Sequence, residues 1–181
     1  MIRPFGPVFY TRNGMHMSDH DPFNEPETAH PRARELMTEA FFWDCVDEEA
    51  PFGSDEGSDA YYEFRRWRSG NKKKTLTACL AWIMQGEDLA NYNEELCANA
   101  TIERDLENPD DAFLADDYDM FTLDTTVIAT ALGQLLDEGR IDAEAKPYVR
   151  VAVKRQLHTH VVTSEHRKKI LLAIKRVIDT A

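Results

Sequence analysis

The sequence predicts an all-α fold, an irregular bundle of roughly six to eight helices behind a loose N-terminal arm. Three observations carry this expectation. Apolar residues recur at three- and four-residue spacing in segment after segment, from Tyr61, Phe64 and Trp67 to Ile170, Leu171, Ile174, Val177 and Ile178. No run alternates apolar and polar residues for long enough to make a strand. Glycine and proline stops cut the chain into helix-sized pieces. At 181 residues with 43% apolar content, the chain can bury one sizeable core and is not disordered as a whole.

Residues 1–28 read as the arm, because Pro4, Gly6, Pro7, Gly14, Pro22 and Pro26 interrupt any periodicity. Met17 inside it is a natural translation start, which would leave residues 1–16 dispensable. Residues 29–181 then form one helical domain. Pro31 opens a short helix to about Thr38, in the first-turn position where its missing N–H costs nothing. Residues 41–46 form either an extended segment or a buried turn. Ser54 to Asp59 offers several caps for a helix to about Arg68, with Asp55, Glu56 and Asp59 complementing its positive end.

Leu76, Cys79, Leu80 and Ile83 mark the next helix, closed by Gly86. Asp88 caps another that runs through Leu89, Tyr92, Leu96 and Ala100. Asn108-Pro109 breaks the chain, and residues 109–121 make a short helix or an ordered loop. Asp124 is expected to cap an apolar helix through Leu136 that Gly139 ends. A further helix starts at Asp142, or at Pro147 if that residue marks its true first turn. The last begins near Thr163 or Ser164.

The net charge of −12 conceals a segregation. Residues 1–145 hold 12 Lys/Arg against 31 Asp/Glu, a net of −19, while residues 146–181 hold 9 against 2, a net of +7. An acidic body repels phosphates and anionic lipids, so neither nucleic acid nor a membrane is an expected partner. The basic end is expected to pack on the acidic body and offset part of its self-repulsion. No apolar run is long enough to span a bilayer, and the N-terminus lacks the apolar core and cleavage site of a secretory signal. With three widely spaced cysteines, Cys45, Cys79 and Cys97, this points to reduced thiols and a cytoplasmic protein.

Residues 41–68 are the stretch whose composition is most specific, with Trp43, a Pro51-Phe52-Gly53 turn and eight carboxylates. Asp44, Asp47, Asp55 and Asp59 are candidate ligands for a hard divalent cation, which wants about six to eight oxygens. Their spacing does not match a calcium loop: counted from Asp47, position six is Phe52 rather than glycine. A metal-dependent hydrolase using these carboxylates with a histidine from 158–166 is the alternative functional reading. His158 and His160 would diverge by about 200° on a helix, and Glu165-His166 fits no zinc-protease spacing. Cys45 stands among acids that oppose a thiolate, and Cys79 and Cys97 fall on apolar faces. No phosphate-binding glycine loop, dinucleotide fingerprint or Gly-x-Ser-x-Gly is present, so no cofactor and no catalytic residue is expected.

The leading expectation is a non-enzymatic interaction module, of immunity or adaptor type, whose acidic surface docks a basic protein partner. The eight carboxylates from Glu103 to Asp119 exceed what solubility requires. Asp110, Asp111, Asp116 and Asp117 would supply charge, and Tyr118, Phe121, Trp43 and Phe52 would supply aromatic anchors.

The segment from Ala29-His30-Pro31-Arg32 through Phe42-Trp43-Asp44, Asp47-Glu48, Ala50-Pro51-Phe52-Gly53, Asp55, Gly57 and Asp59 to Phe64 and Trp67 resembles the signature of the YfeS-like bacterial family. Some members of that family are joined to a WGR domain, and no such module is visible in this chain. The resemblance covers residues 29–68 and implies a shared module. It carries over no catalytic residues.

Overall fold

A computed structural model describes residues 21–85 and 87–181. Its α-helices are α1 (Pro31–Leu36), α2 (Asp55–Gly70), α3 (Leu76–Ile83), α4 (Asn99–Glu107), α5 (Met120–Glu138), α6 (Lys146–Gln156) and α7 (Glu165–Thr180). Short 3-10 turns fill the gaps, and no strand occurs among the described residues. The fold is all-α. No helix of the described residues is long and apolar enough to cross a membrane.

α5 is the axis. Of its 19 residues, 14 are buried, so it is covered all round rather than on one stripe. α2 and α6 make the largest packings against it, α7 covers α6, and one apolar cluster runs from Ala29 to Ile178. Gly133 lets α2 approach α5 closely, since a Cβ there would lie 2.8 Å from the Tyr61 ring.

Asp119, not Asp124, caps α5, accepting from the Thr122 N–H at 2.8 Å. The sequence expectation misplaced this cap by one turn and more. Met120 and Leu123 are both buried and extend the apolar face toward the N-terminus, which carries Asp124 inside the helix and into the core. The single helix expected from Asp88 is also broken. It becomes a turn at Leu89–Asn91, a turn at Glu94–Cys97, and then α4. Asn93 is the cause: its backbone is extended, its side chain accepts from the Glu95 N–H and donates to the Ala90 carbonyl, and both bonds compete with helix.

Elsewhere the elements follow the sequence closely. Ser164 caps α7, accepting from the Arg167 N–H at 2.8 Å, and Pro147 lies in the first turn of α6. Residues 41–46 begin as a 3-10 turn, Ala40–Trp43. Residues 21–28, assigned to the arm, are anchored in part. Phe23 packs with ring centroids 5.1 Å from Phe52 and 5.6 Å from Tyr61. The proposed start at Met17 and residues 1–16 lie outside the described residues.

Gly139 ends α5 with φ 72°, in the left-handed region, and a Cβ there would fall 2.2 Å from the His30 ring. Gly139→Ala is therefore expected to lower stability by at least about 1 kcal/mol from the backbone alone. Thermal unfolding measures this, and an unchanged melting temperature would contradict the close approach.

The basic C-terminal helices find acids nearby. Arg176 pairs with Glu39 at 2.7 Å, Arg150 and Lys175 with Asp179 at 2.9 Å, and Lys154 with Glu94. Much of the +7 charge is thus neutralised locally or on adjoining turns, leaving carboxylates elsewhere without an ion pair among the described residues.

Candidate functional site

Those carboxylates gather at a groove of about 380 Å³ between α2, the end of α3 and the start of α5. The local sequence sets the first wall. Ser54 caps α2, and from there Asp55, Asp59 and Glu63 follow at four-residue steps along one face, with Glu56 beside them. Trp82 and Ile83 from α3, and Asp116, Asp117 and Tyr118 ahead of α5, form the opposite wall. Ala60, Thr122 and Thr126 complete the lining. Trp82 is 42% exposed, an unusual position for an indole on a helix whose other apolar residues Leu76, Cys79, Leu80 and Ile83 are buried.

The charge in this groove is unbalanced. Glu63 pairs with Arg66, but Asp55, Glu56, Asp59, Asp116 and Asp117 have no ion pair among the described residues. Partial burial raises the Asp59 carboxyl above its ordinary range, and the charges of Asp55 and Glu56 raise it further. Burial likewise raises Glu63, with Arg66 opposing. A cation entering the groove removes this mutual repulsion.

The structure sorts the expected site residues into three groups. Asp116, Asp117 and Tyr118 line the groove, with Asp55 and Asp59 across from them. Asp110 and Asp111 lie in an exposed turn outside it, Pro109–Asp111. Phe121 is 42% exposed but faces a separate depression beside the Arg167 guanidinium, 5.7 Å away. Phe52, expected as a docking anchor, is instead core: it is 1% exposed between Phe23 and Tyr61. Trp43 is half-buried, its indole donating to the Met37 carbonyl at 2.9 Å. Sequence reasoning missed Trp82, Glu56 and Glu63. The one signal for Trp82 was its place off the apolar stripe of α3.

The carboxylates at 44–59 do not converge. Asp44 accepts from the Val46 and Asp47 N–H groups, which hold it below its ordinary range. Asp47 accepts from the Glu49 N–H and lies 2.7 Å from His166. Glu49 accepts from the Ser164 hydroxyl at 2.7 Å, and Arg167 donates to the Glu49 carbonyl. These residues clamp the 44–53 turn to the start of α7, whereas Asp55 and Asp59 face the groove. Among the described residues no three His, Cys, Asp or Glu side chains are placed to hold a metal ion. His158 contacts Asn99 at 3.1 Å, and His160 lies 3.7 Å from Glu103. The glycines of this segment serve packing, because a Cβ would fall 1.8 Å from the Asp47 carbonyl oxygen at Gly53 and 2.2 Å from that of Pro51 at Gly57. Burial pushes the Cys79 thiol up to about 12 and that of Cys97 up to about 11. Burial, then Asp21 and Asp44, also raise Cys45, so each of the three disfavours the thiolate.

A second polar constellation lies inside the core. The Tyr92 hydroxyl and the Arg155 Nη1 both donate to Asp124 Oδ1, the latter at 2.9 Å. All three residues are 0% exposed, and the guanidinium stands 5.7 Å from the Tyr92 ring. Burial pushes the Asp124 carboxyl up to about 7, although Arg155 and Tyr92 oppose the shift. The folded chain therefore holds this proton more tightly than the unfolded chain, whose ordinary value is 3.8. Its contribution to stability is complete below 3.8 and is lost as pH rises toward about 7. Denaturant unfolding across that window should show this fall in the wild type and not in Asp124→Asn. An identical pH slope in both would contradict the assignment.

No family model, curated protein or solved structure matches the chain.

Proposed function

We propose that this protein is an interaction module that docks a basic segment of a partner protein in the groove between α2, α3 and the start of α5. The observation that carries the reading is the charge there: five carboxylates without an ion pair among the described residues line an apolar-floored cleft that holds a half-exposed tryptophan. A lysine or arginine of the partner would place its charge among Asp55, Asp59, Asp116 and Asp117 and its aliphatic stem on Ala60 and Ile83. The Trp82 face adds a cation–π contact. Opposite charge also steers encounter and makes docking salt-sensitive. An immunity-type or adaptor role in the cytoplasm, with no nucleic acid involved, is the biological setting we infer. Kinship with the YfeS-like family through residues 29–68 belongs to the same proposal.

A pull-down from native lysate at low salt tests it, comparing the wild type with a groove variant (Asp55→Lys, Asp59→Lys, Asp116→Lys, Asp117→Lys) and a control outside the groove (Asp110→Lys, Asp111→Lys). A basic protein should be retained by the wild type and the control and lost by the groove variant. Equal recovery by all three would count against the groove.

A further inference from the structure

A second depression, of about 230 Å³, is lined by the 44–53 turn, the end of α6, the segment leading into α7, α7 itself and the first turn of α5. Its cation is Arg167, only 6% exposed, whose guanidinium donates to the Glu49 carbonyl and to Gln156 Oε1. That guanidinium forms no ion pair among the described residues. Burial lowers it below its ordinary range, with the Glu49 and Asp47 charges opposing. It is a cation short of a counter-charge.

Glu49 does not supply one at contact distance. Its carboxylate accepts from the Ser164 hydroxyl at 2.7 and 2.9 Å, and it is the Glu49 backbone carbonyl that receives the guanidinium. Glu48 is exposed at the same depression, and neither glutamate forms an ion pair among the described residues. One depression is thus lined by a cation and two carboxylates that do not pair with one another. Its apolar lining is Phe121 with the half-buried Val161 and Val162. These parts are held in place: Gln156 Nε2 donates to Thr125 Oγ1 at 3.1 Å and to the Phe121 carbonyl at 3.4 Å.

We propose that this depression binds a small zwitterion, a free α-amino acid with an apolar side chain. The ligand's carboxylate would meet N–H groups of Arg167, which has five donors and gives two bonds to protein oxygens. Its ammonium would lie against Glu48 and Glu49, and its side chain on Phe121, Val161 and Val162. The volume limits the size, since drug-sized ligands fill about 300–1,000 Å³. A ligand with one charge would match one side of the depression and leave the other unmatched. The site shares no residue with the acidic groove, so it stands or falls apart from the docking reading.

Isothermal titration of the full chain with leucine, leucinamide and N-acetylleucine tests this. Leucinamide keeps only the ammonium, as a peptide N-terminus does, and N-acetylleucine only the carboxylate, as a peptide C-terminus does. Leucine should bind with a Kd of about 1 mM or tighter, and each blocked form at least about tenfold more weakly. The amide resonances of Phe121, Val162 and Arg167 should shift with leucine. Glu48→Gln combined with Glu49→Gln keeps the backbone carbonyl that receives Arg167 and should weaken leucine at least about tenfold. Phe121→Ala, which truncates an exposed ring, is the second variant and should also weaken it. No heat and no shift at about 10 mM leucine would overturn the proposal. So would equal binding of the three ligands, shifts confined to another part of the surface, or leucine binding that neither variant weakens.

Discussion

Asp124→Ala should be the most destabilising single substitution in this chain, costing about 3–5 kcal/mol. It strips the carboxylate from a guanidinium that is 0% exposed, and arginine cannot shed its charge to escape. In a chain of this size that loss lowers the melting temperature by about 10 °C. The reverse truncation, Arg155→Met, should cost less. The carboxyl left behind already sits near 7 and can take up a proton, whereas the guanidinium has no neutral form available to it. Replacing both residues with apolar side chains of similar volume should restore much of the loss, since a buried pair is costly to break and cheap to replace. Thermal and denaturant unfolding of the three variants separates these outcomes. Equal losses in the two single variants would contradict the asymmetry.

The second large effect concerns the groove. Reversing Asp59 and Asp117 to lysine should weaken docking of a basic partner by at least about tenfold at low salt, with melting temperature nearly unchanged. Both residues lie at the surface and neither holds an ion pair among the described residues, so replacing them breaks no ion pair there. Raising the salt should weaken the wild-type interaction and leave the reversed variant little affected, because charges at a groove rim are screened over about 10 Å at 0.1 M. Isothermal titration at two salt concentrations reads both effects. A reversed variant that binds as well as the wild type would remove these carboxylates from the interface.

Where one helix face meets one core, the sequence was easy to read. α2, α3, α6 and α7 are recovered because their apolar stripes are regular, and the caps of α2 and α7, Ser54 and Ser164, stand at the expected places. α5 was harder. A helix buried all round has no polar face, so its start cannot be found from periodicity, and an interior aspartate passes for a cap. Asp124 illustrates the limit, since its partners Tyr92 and Arg155 lie 32 and 31 residues away along the chain. The groove was half legible. The acidic stretches at 41–68 and 103–119 each stood out in composition, but nothing in either shows that parts of them share one groove. Only the packing of α2 against α5 sets them across a common cleft, and that same packing sends Phe52 into the core and leaves Trp82 in solvent. The family-like residues at 44–59 proved to be turn and clamp chemistry, with glycines where backbones touch and acids that cap N–H groups.

The docking reading is tested most directly by a nuclear magnetic resonance titration of the full chain with a short synthetic peptide of arginine, leucine and glycine. A peptide with glutamate in place of arginine serves as the counterpart. Trp82 is one of three tryptophans, and Trp82→Phe identifies its indole resonance. The account predicts that the Trp82 indole and the amides of Asp59 and Asp117 shift together with the arginine peptide at low salt, and stay in place with the glutamate peptide. Shifts that fall elsewhere on the surface, or that both peptides produce alike, would contradict it.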